Sequence, residues 1–371
     1  MTDNRIRELL TDFADSVEVP DLAERVWSTS GRPRMRILAV AAGALVGVLA
    51  VAVTVIARRH PGPAGDRAPA SHQRAPVNIQ VAPPVASEPG LPRHDIGLPA
   101  VIDLDRSAPD VTRHPIGRAI AAFGVSTSSS GTSTQVTVVL IAPDGTQRTL
   151  DVSKLDQPRG AGGERVAPFG ATSLSPDGTQ LVLAGFGEVL SYSLVTGRWT
   201  HFPVVGFPTD KPAWNADGSI QVGDGRIDSG TKQVTRSPVS VTPWPPGIDV
   251  DQPWGPARRI GNRTAQEALL RSSPQPVNDP IPEAVAVSGP DPAVLLVPHV
   301  VGQERYIGCC AVAGWSGTDT VIYESRFGPE STGQVTRLLA WNIARRSVEL
   351  ATTVTAGAHT LITGSYPRFP S

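Results

Sequence analysis

The chain has 371 residues, a formal net charge of −1 and a pI near 6.7, which excludes a strongly basic protein built to grip nucleic acid. Its 36 glycines and 36 prolines exclude a mainly helical protein and fit a turn-rich β architecture. The 2 cysteines, Cys309 and Cys310, are neighbours, so no disulfide framework ties distant parts of the fold together.

Residues 1–34 form an acidic tail. Ile6, Leu9, Leu10 and Phe13 fall on one face of a helix, and Thr2 or Asp3 caps its start. A second short helix begins at Pro20, with Leu22, Val26 and Trp27 as its apolar side. Helices this short bury no core alone, so the tail is either a hook for a partner or a solvated juxtamembrane segment.

The run Ile37 to Ala57 carries no charge, and its one polar side chain is Thr54. About 20 apolar residues cross the hydrocarbon core as a helix, and a soluble helix shows a polar stripe that this one lacks. Residues 35–58 are therefore expected to span a membrane once. The run is longer than a signal-peptide core and follows a long tail, which favours a retained anchor. Within about 20 residues of the span, Arg25, Arg32, Arg34 and Arg36 face Arg58, Arg59, Arg67 and Arg74, so the positive-inside rule does not decide orientation. The downstream β-rich region with its paired cysteines suits an exported domain and places the N-terminus in the cytoplasm. Residues 59–100, rich in proline and alanine, are expected to form a disordered, semi-rigid spacer.

From 101 to 371 the chain turns into short β-rich runs broken by turn signals. Val136–Ile141 is followed by Pro143-Asp144-Gly145, in which proline presets φ, aspartate bonds the turn backbone and glycine accepts positive φ. The device returns at Ser175-Pro176-Asp177-Gly178 before Leu181–Ala184, and at Asn215-Ala216-Asp217-Gly218 before Ile220–Val222. A looser form, Trp315-Ser316-Gly317-Thr318-Asp319, precedes Val321–Tyr323. A second hairpin follows: Leu190–Leu194 turns into Arg198–Phe202, and Leu339–Ile343 into Ser347–Leu350. Four strands per unit at a spacing of about 40 residues is the repeat signature of a propeller blade.

These turns and hairpins resemble WD-repeat-like and TolB-type β-propellers. The order of tail, span, spacer and propeller resembles actinobacterial membrane-anchored proteins of unknown function. The resemblance implies an all-β propeller of about six blades, with five to seven admissible, and an irregular β-sandwich as the rival fold. Register is lost between about 240 and 300, where Trp254 is followed by Gly255-Pro256 and not by an aspartate turn.

Chemistry motifs are sparse. The seven histidines are scattered, with no HExxH and no paired His/Cys ligands. No GxSxG occurs. Asp217, Asp224 and Asp228 lack the spacing of a calcium loop. No catalytic, cofactor or metal residue is nominated. Cys309 and Cys310 either form a vicinal bridge, which adjacent Cα atoms make geometrically demanding, or stand as two small buried thiols. The expectation is a single-pass protein with a non-catalytic extracytoplasmic propeller that binds or senses a protein or envelope ligand. Its tail would engage a cytoplasmic regulator such as a sigma factor, and no nucleic acid is expected as partner. The alternatives are an exported propeller enzyme, hydrolase or lyase, and a structural envelope scaffold.

Overall fold

The structure, a computed structural model, describes residues 77–369 apart from 130–131, 159–165, 205–211, 238–249, 271–282, 290–291, 299–309, 328–334, 359 and 368. The expected tail and the span Ile37 to Ala57 lie outside the described residues. Within them, no helix is long and apolar enough to cross a membrane.

In chain order the strands are β1 Val77–Val81 and β2 Val101–Asp103; β3 Ala121–Ser129, β4 Thr132–Ile141 and β5 Gln147–Asp151; then β6 Gln180–Gly185, β7 Glu188–Ser193 and β8 Trp199–Pro203. They continue with β9 Ala213–Trp214, β10 Ile220–Val222, β11 Gly225–Ile227 and β12 Val234–Arg236, then β13 Val250–Ile260, β14 Arg263–Leu270, β15 Glu283–Ser288 and β16 Ala293–Val297. The last are β17 Val312–Ser316, β18 Thr320–Phe327, β19 Val335–Asn342, β20 Ser347–Thr355 and β21 Thr360–Ser365.

They assemble into five sheets. Blade one is β21-β3-β4-β5, blade two is β6-β7-β8 with a bridge from Leu174 to Leu181, and blade three is β9 to β12. Blade four is β13 to β16 and blade five is β17 to β20. Pairing between the strands that make up each of these meanders is antiparallel, as expected of strands joined by short turns. The C-terminal β21 supplies the innermost strand of blade one, pairing Thr360 with Thr127 and Ser365 with Ala122. The chain therefore closes its own ring.

The fold is a β-propeller with five blades, not the six expected. The spacing of about 40 residues holds from Leu174 to Trp214 but stretches later. β13 and β17, the first strands of consecutive blades, begin at Val250 and Val312. Long hairpins in blade four use up the sequence that a sixth blade would have needed. A second difference lies at the start. Residues 77–100, expected as spacer, belong to the folded part. β1 pairs in parallel with β16 as a fifth strand of blade four, and β2 with β20 as a fifth strand of blade five. A 3₁₀ turn at Val85–Gly90 links them.

Apolar faces meet between successive blades. Leu140, Leu150, Leu183 and Tyr192 fill the space between blades one and two, and Val182, Phe202, Ile220 and Ile227 that between two and three. Val285, Leu296, Tyr323 and Trp341 pack blade four on five, while Ile322, Leu338, Phe123 and Ile141 pack five on one. Full burial of each such aromatic or branched side chain contributes about 1.5–3 kcal/mol. The aspartate turns hold the strands in register. Asp144 accepts the Thr146 amide at 2.9 Å, Asp177 that of Thr179 at 3.0 Å and Asp217 that of Ser219 at 3.0 Å. The glycine after each has φ of 79°, 75° and 81°, a region that side chains with a Cβ avoid.

Candidate functional site: a buried charge cluster where the blades meet

The innermost segments of the five blades are stitched to one another. The Leu174 amide donates to the Ser365 hydroxyl at 2.9 Å, joining blade two to blade one. The Trp214 indole donates to the Ser173 carbonyl at 3.1 Å, joining three to two. The Arg258 guanidinium donates to the Ala171 carbonyl at 3.1 Å, so blade four reaches blade two. The Trp315 indole donates to the Arg258 carbonyl at 2.9 Å, joining five to four. Arg258 thus sits where several inner segments converge.

Glu324 and Tyr366 lie close enough to act on its charge, and Arg326 and Glu267 join the cluster around Glu324. Glu324 and Arg326 lie two residues apart on β18, so period-2 alternation puts them on the same face as Ile322. Arg326 donates through Nε and Nη2 to Glu324 Oε2, the Nε contact measuring 2.7 Å. Tyr366, just beyond β21, donates its hydroxyl to Glu324 Oε1 at 2.8 Å. Both oxygens of Glu324 are therefore engaged. Glu267 comes from β14, where it is 1 % exposed.

The electrostatics are unbalanced. Burial lowers Arg258 to about 10, with Tyr366 and Glu324 partly offsetting the effect; it stays a cation at neutral pH. Its side-chain hydrogen bonds go only to carbonyls, Ala171 and, at 3.5 Å, Val312, and no carboxylate lies within ion-pair distance among the described residues. Arg258 nevertheless keeps part of its surface accessible, and so does Arg326, at 16 %. Both therefore keep some contact with solvent while packed among protein atoms. Burial disfavours the charge on Arg326, but the Glu324 carboxylate holds the group above its ordinary value. Burial raises Tyr366 well above 10, and Glu324 adds to the effect.

Burial also pushes Glu267 up to about 7, with Glu283 nearby raising it further and Arg326 and the Cys310 amide opposing. Oε1 of Glu267 has no hydrogen-bond partner. Gly255 faces this carboxylate, where a Cβ would stand 3.4 Å from Oε2, an ordinary contact distance. A guanidinium without an ion-pair carboxylate among the described residues, in a cluster that also holds a carboxyl resisting ionisation, is an arrangement suited to receiving an anion.

None of these five residues was nominated from the sequence. The nominated Asp144, Asp177 and Asp217 lie on separate turns away from the cluster, where each satisfies local backbone donors. Hydrogen bonds from Ser219 lower Asp217, and Arg226 pairs with it. Of the cysteines, Cys310 is buried just before β17 and is disulfide-bonded, while Cys309 lies outside the described residues. No group of three or more His, Cys, Asp or Glu is placed to hold a metal among the described residues.

No family model matches the chain, and no curated protein matches it. Among solved structures it is similar to a variant of the AtxE2 isopeptidase with Astexin3-dC4 bound, at 14% identity and a TM-score of 0.33, over 66% of this chain and 48% of that one. The chain thus spans about half the length of that isopeptidase. It is also similar to the WD40 domain of SCAP from fission yeast, at 12% identity and a TM-score of 0.21, over 61% of this chain and 60% of that one. A chain of a mitotic checkpoint complex gives 9% identity and a TM-score of 0.21 over 52% and 77%. Overlap this slight carries no argument about activity. The propeller assignment rests on the five closed sheets themselves.

Proposed function

We propose that the protein is a non-catalytic binding or sensing module whose propeller takes a small anionic group, a carboxylate or an oxyanion, at Arg258 and Arg326. One observation carries this reading. Arg258 is a partly exposed residue whose guanidinium is held by two backbone carbonyls and by no carboxylate among the described residues. Leaving a charge in that state costs several kcal/mol unless a counter-charge arrives. The cluster offers arginine, glutamate and tyrosine but no serine, cysteine or histidine nucleophile, which favours binding over hydrolysis. In this reading the run Ile37 to Ala57 anchors the protein in a membrane, with the propeller outside and the acidic tail in the cytoplasm as the route to a regulator.

Calorimetric titration of the full-length protein with acetate and sulfate tests the site. Saturable binding with a Kd of about 1 mM or tighter, some 4 kcal/mol, weakened at least tenfold in Arg258→Gln, supports it. Equal binding by wild type and variant sinks it. Crosslinking in cells, with and without residues 2–30, tests the tail: a regulator captured only by the intact chain supports signalling, and identical capture removes it.

A further inference from the structure

The one side chain of the cluster left with a bare atom is Glu267. It projects from β14 toward blade five, with Ala265 two residues away on the same face. Among the described residues, the groups that act on it come from four elements. β13 presents Gly255, which brings no charge. β15 presents Glu283, β18 presents Arg326 and Glu324, and the segment before β17 presents the Cys310 amide. Of these, Arg326 and the Cys310 amide favour the ionised carboxylate; the two glutamates and the surrounding apolar packing favour the protonated one. The balance therefore hangs on Arg326, a side chain that keeps some contact with solvent.

Resting on the anion-binding reading above, we infer that Glu267 is the proton acceptor coupled to that site: an anion that seats against Arg326 and Arg258 draws a proton from solvent onto the Glu267 carboxylate. An incoming negative charge offsets the field of Arg326 at Glu267 and adds its own repulsion. The carboxylate already has an unsatisfied oxygen and titrates near neutrality, so a modest further rise suffices to protonate it. A rise of about one unit, centred above 7, transfers roughly half a proton per anion bound at pH 7.5. By linkage the coupling is reciprocal, so anion affinity increases as pH falls through that range. The propeller then reports an anion and acidity together.

The experiment is calorimetry of the full-length protein with sulfate and with acetate, neither of which titrates near neutrality, in buffers of different ionisation enthalpy at pH 7.5. The expected result is an uptake of roughly half a proton in wild type and none in Glu267→Gln, with the variant still binding. Glutamine mimics the protonated carboxyl, so the variant is expected to fold and to bind at least as tightly as wild type at that pH. Binding by wild type without proton uptake overturns this inference and leaves the anion site standing. Uptake that persists in Glu267→Gln also overturns it, by assigning the proton to another group. Absence of binding by either anion overturns the site and the inference together.

Discussion

The structure holds two buried charge clusters, and they are built on opposite plans. Against β18 and β19 of blade five, Glu88 from the 3₁₀ turn is fully buried and takes the Ser325 hydroxyl at 2.8 Å on Oε1 and Arg337 at 2.9 Å on Oε2. Arg337 also donates to the Val85 carbonyl at 3.0 Å and stacks 4.1 Å over the Phe327 ring. One cation thus faces one carboxylate, and the N-terminal segment is clasped to the sheet. Where the blades meet, by contrast, two guanidiniums face one engaged carboxylate, Glu324, and one carboxyl that resists ionisation, Glu267. A matched cluster holds structure; an unmatched one retains free energy to be recovered by a ligand.

Breaking the matched cluster carries the largest expected effect. Glu88→Ala leaves Arg337 buried without its counter-charge and releases the turn between β1 and β2. A loss of about 3–5 kcal/mol is expected, read as a lower denaturation midpoint, with anion binding retained below the transition. Unchanged stability would show that the clasp is incidental.

Next is pH. Glu267 keeps its proton in the folded state up to about 7, against an ordinary value of 4.5. Between those values the folded protein binds more protons than the unfolded chain, so this group makes stability fall as pH rises, by about 3 kcal/mol in all, and stay level above 7. Glu267→Gln is expected to flatten that decline. Chemical denaturation of both proteins at pH 5 and pH 7.5 measures it, and equal slopes would contradict the assignment.

The two clusters also differ in how far the sequence exposes them. Aspartate turns were legible because their chemistry is local: Asp177 bonds Ser175 and Thr179, two residues to either side. The central cluster was not, because Arg258, Glu267, Glu324 and Tyr366 come from three blades. Two of them lie where the turn repeat lapses. One signal was present: Glu324 and Arg326 share a face with Ile322 in the otherwise apolar strand β18. Charges on a core-facing register mark a site or a clasp. The N-terminal strands were hidden for a different reason. Val77-Asn78-Ile79-Gln80-Val81 alternates as a strand does, but prolines at 76, 83 and 84 made it read as spacer. Only the partner strand β16 reveals that the alternation is used, and that Gln80 is fixed by the Trp341 indole at 2.7 Å.

A smaller perturbation tests the unmatched cluster without removing any of its charges. A Cβ on Gly364 would collide with the Tyr366 hydroxyl and Glu324 Oε1. Gly364→Ala is expected to cost about 1–3 kcal/mol through overpacking and to weaken anion binding by displacing the Glu324–Arg326 pair. Stability lost with binding intact would place the ligand away from that pair.

The smallest effect on stability, and the sharpest contrast, is expected at Arg258. Replacing a buried ion-pair partner is costly because the other charge is stranded; Arg258 has no such partner among the described residues. Arg258→Gln forfeits hydrogen bonds to two carbonyls, about 1 kcal/mol each, and at the same time removes the cost of an unneutralised cation. The two terms oppose, so the net change is expected to stay within about 1 kcal/mol while anion affinity falls at least tenfold. Arg337→Gln, the same substitution in the matched cluster, takes the Arg337 counter-charge from the fully buried Glu88 and is expected to unfold the protein several kcal/mol more easily. Measured side by side, the pair separates a guanidinium that serves the fold from one that serves a ligand. If Arg258→Gln proves as destabilising as Arg337→Gln, Arg258 is a structural brace for the Ala171 and Val312 carbonyls, and the binding site must be sought elsewhere on the propeller.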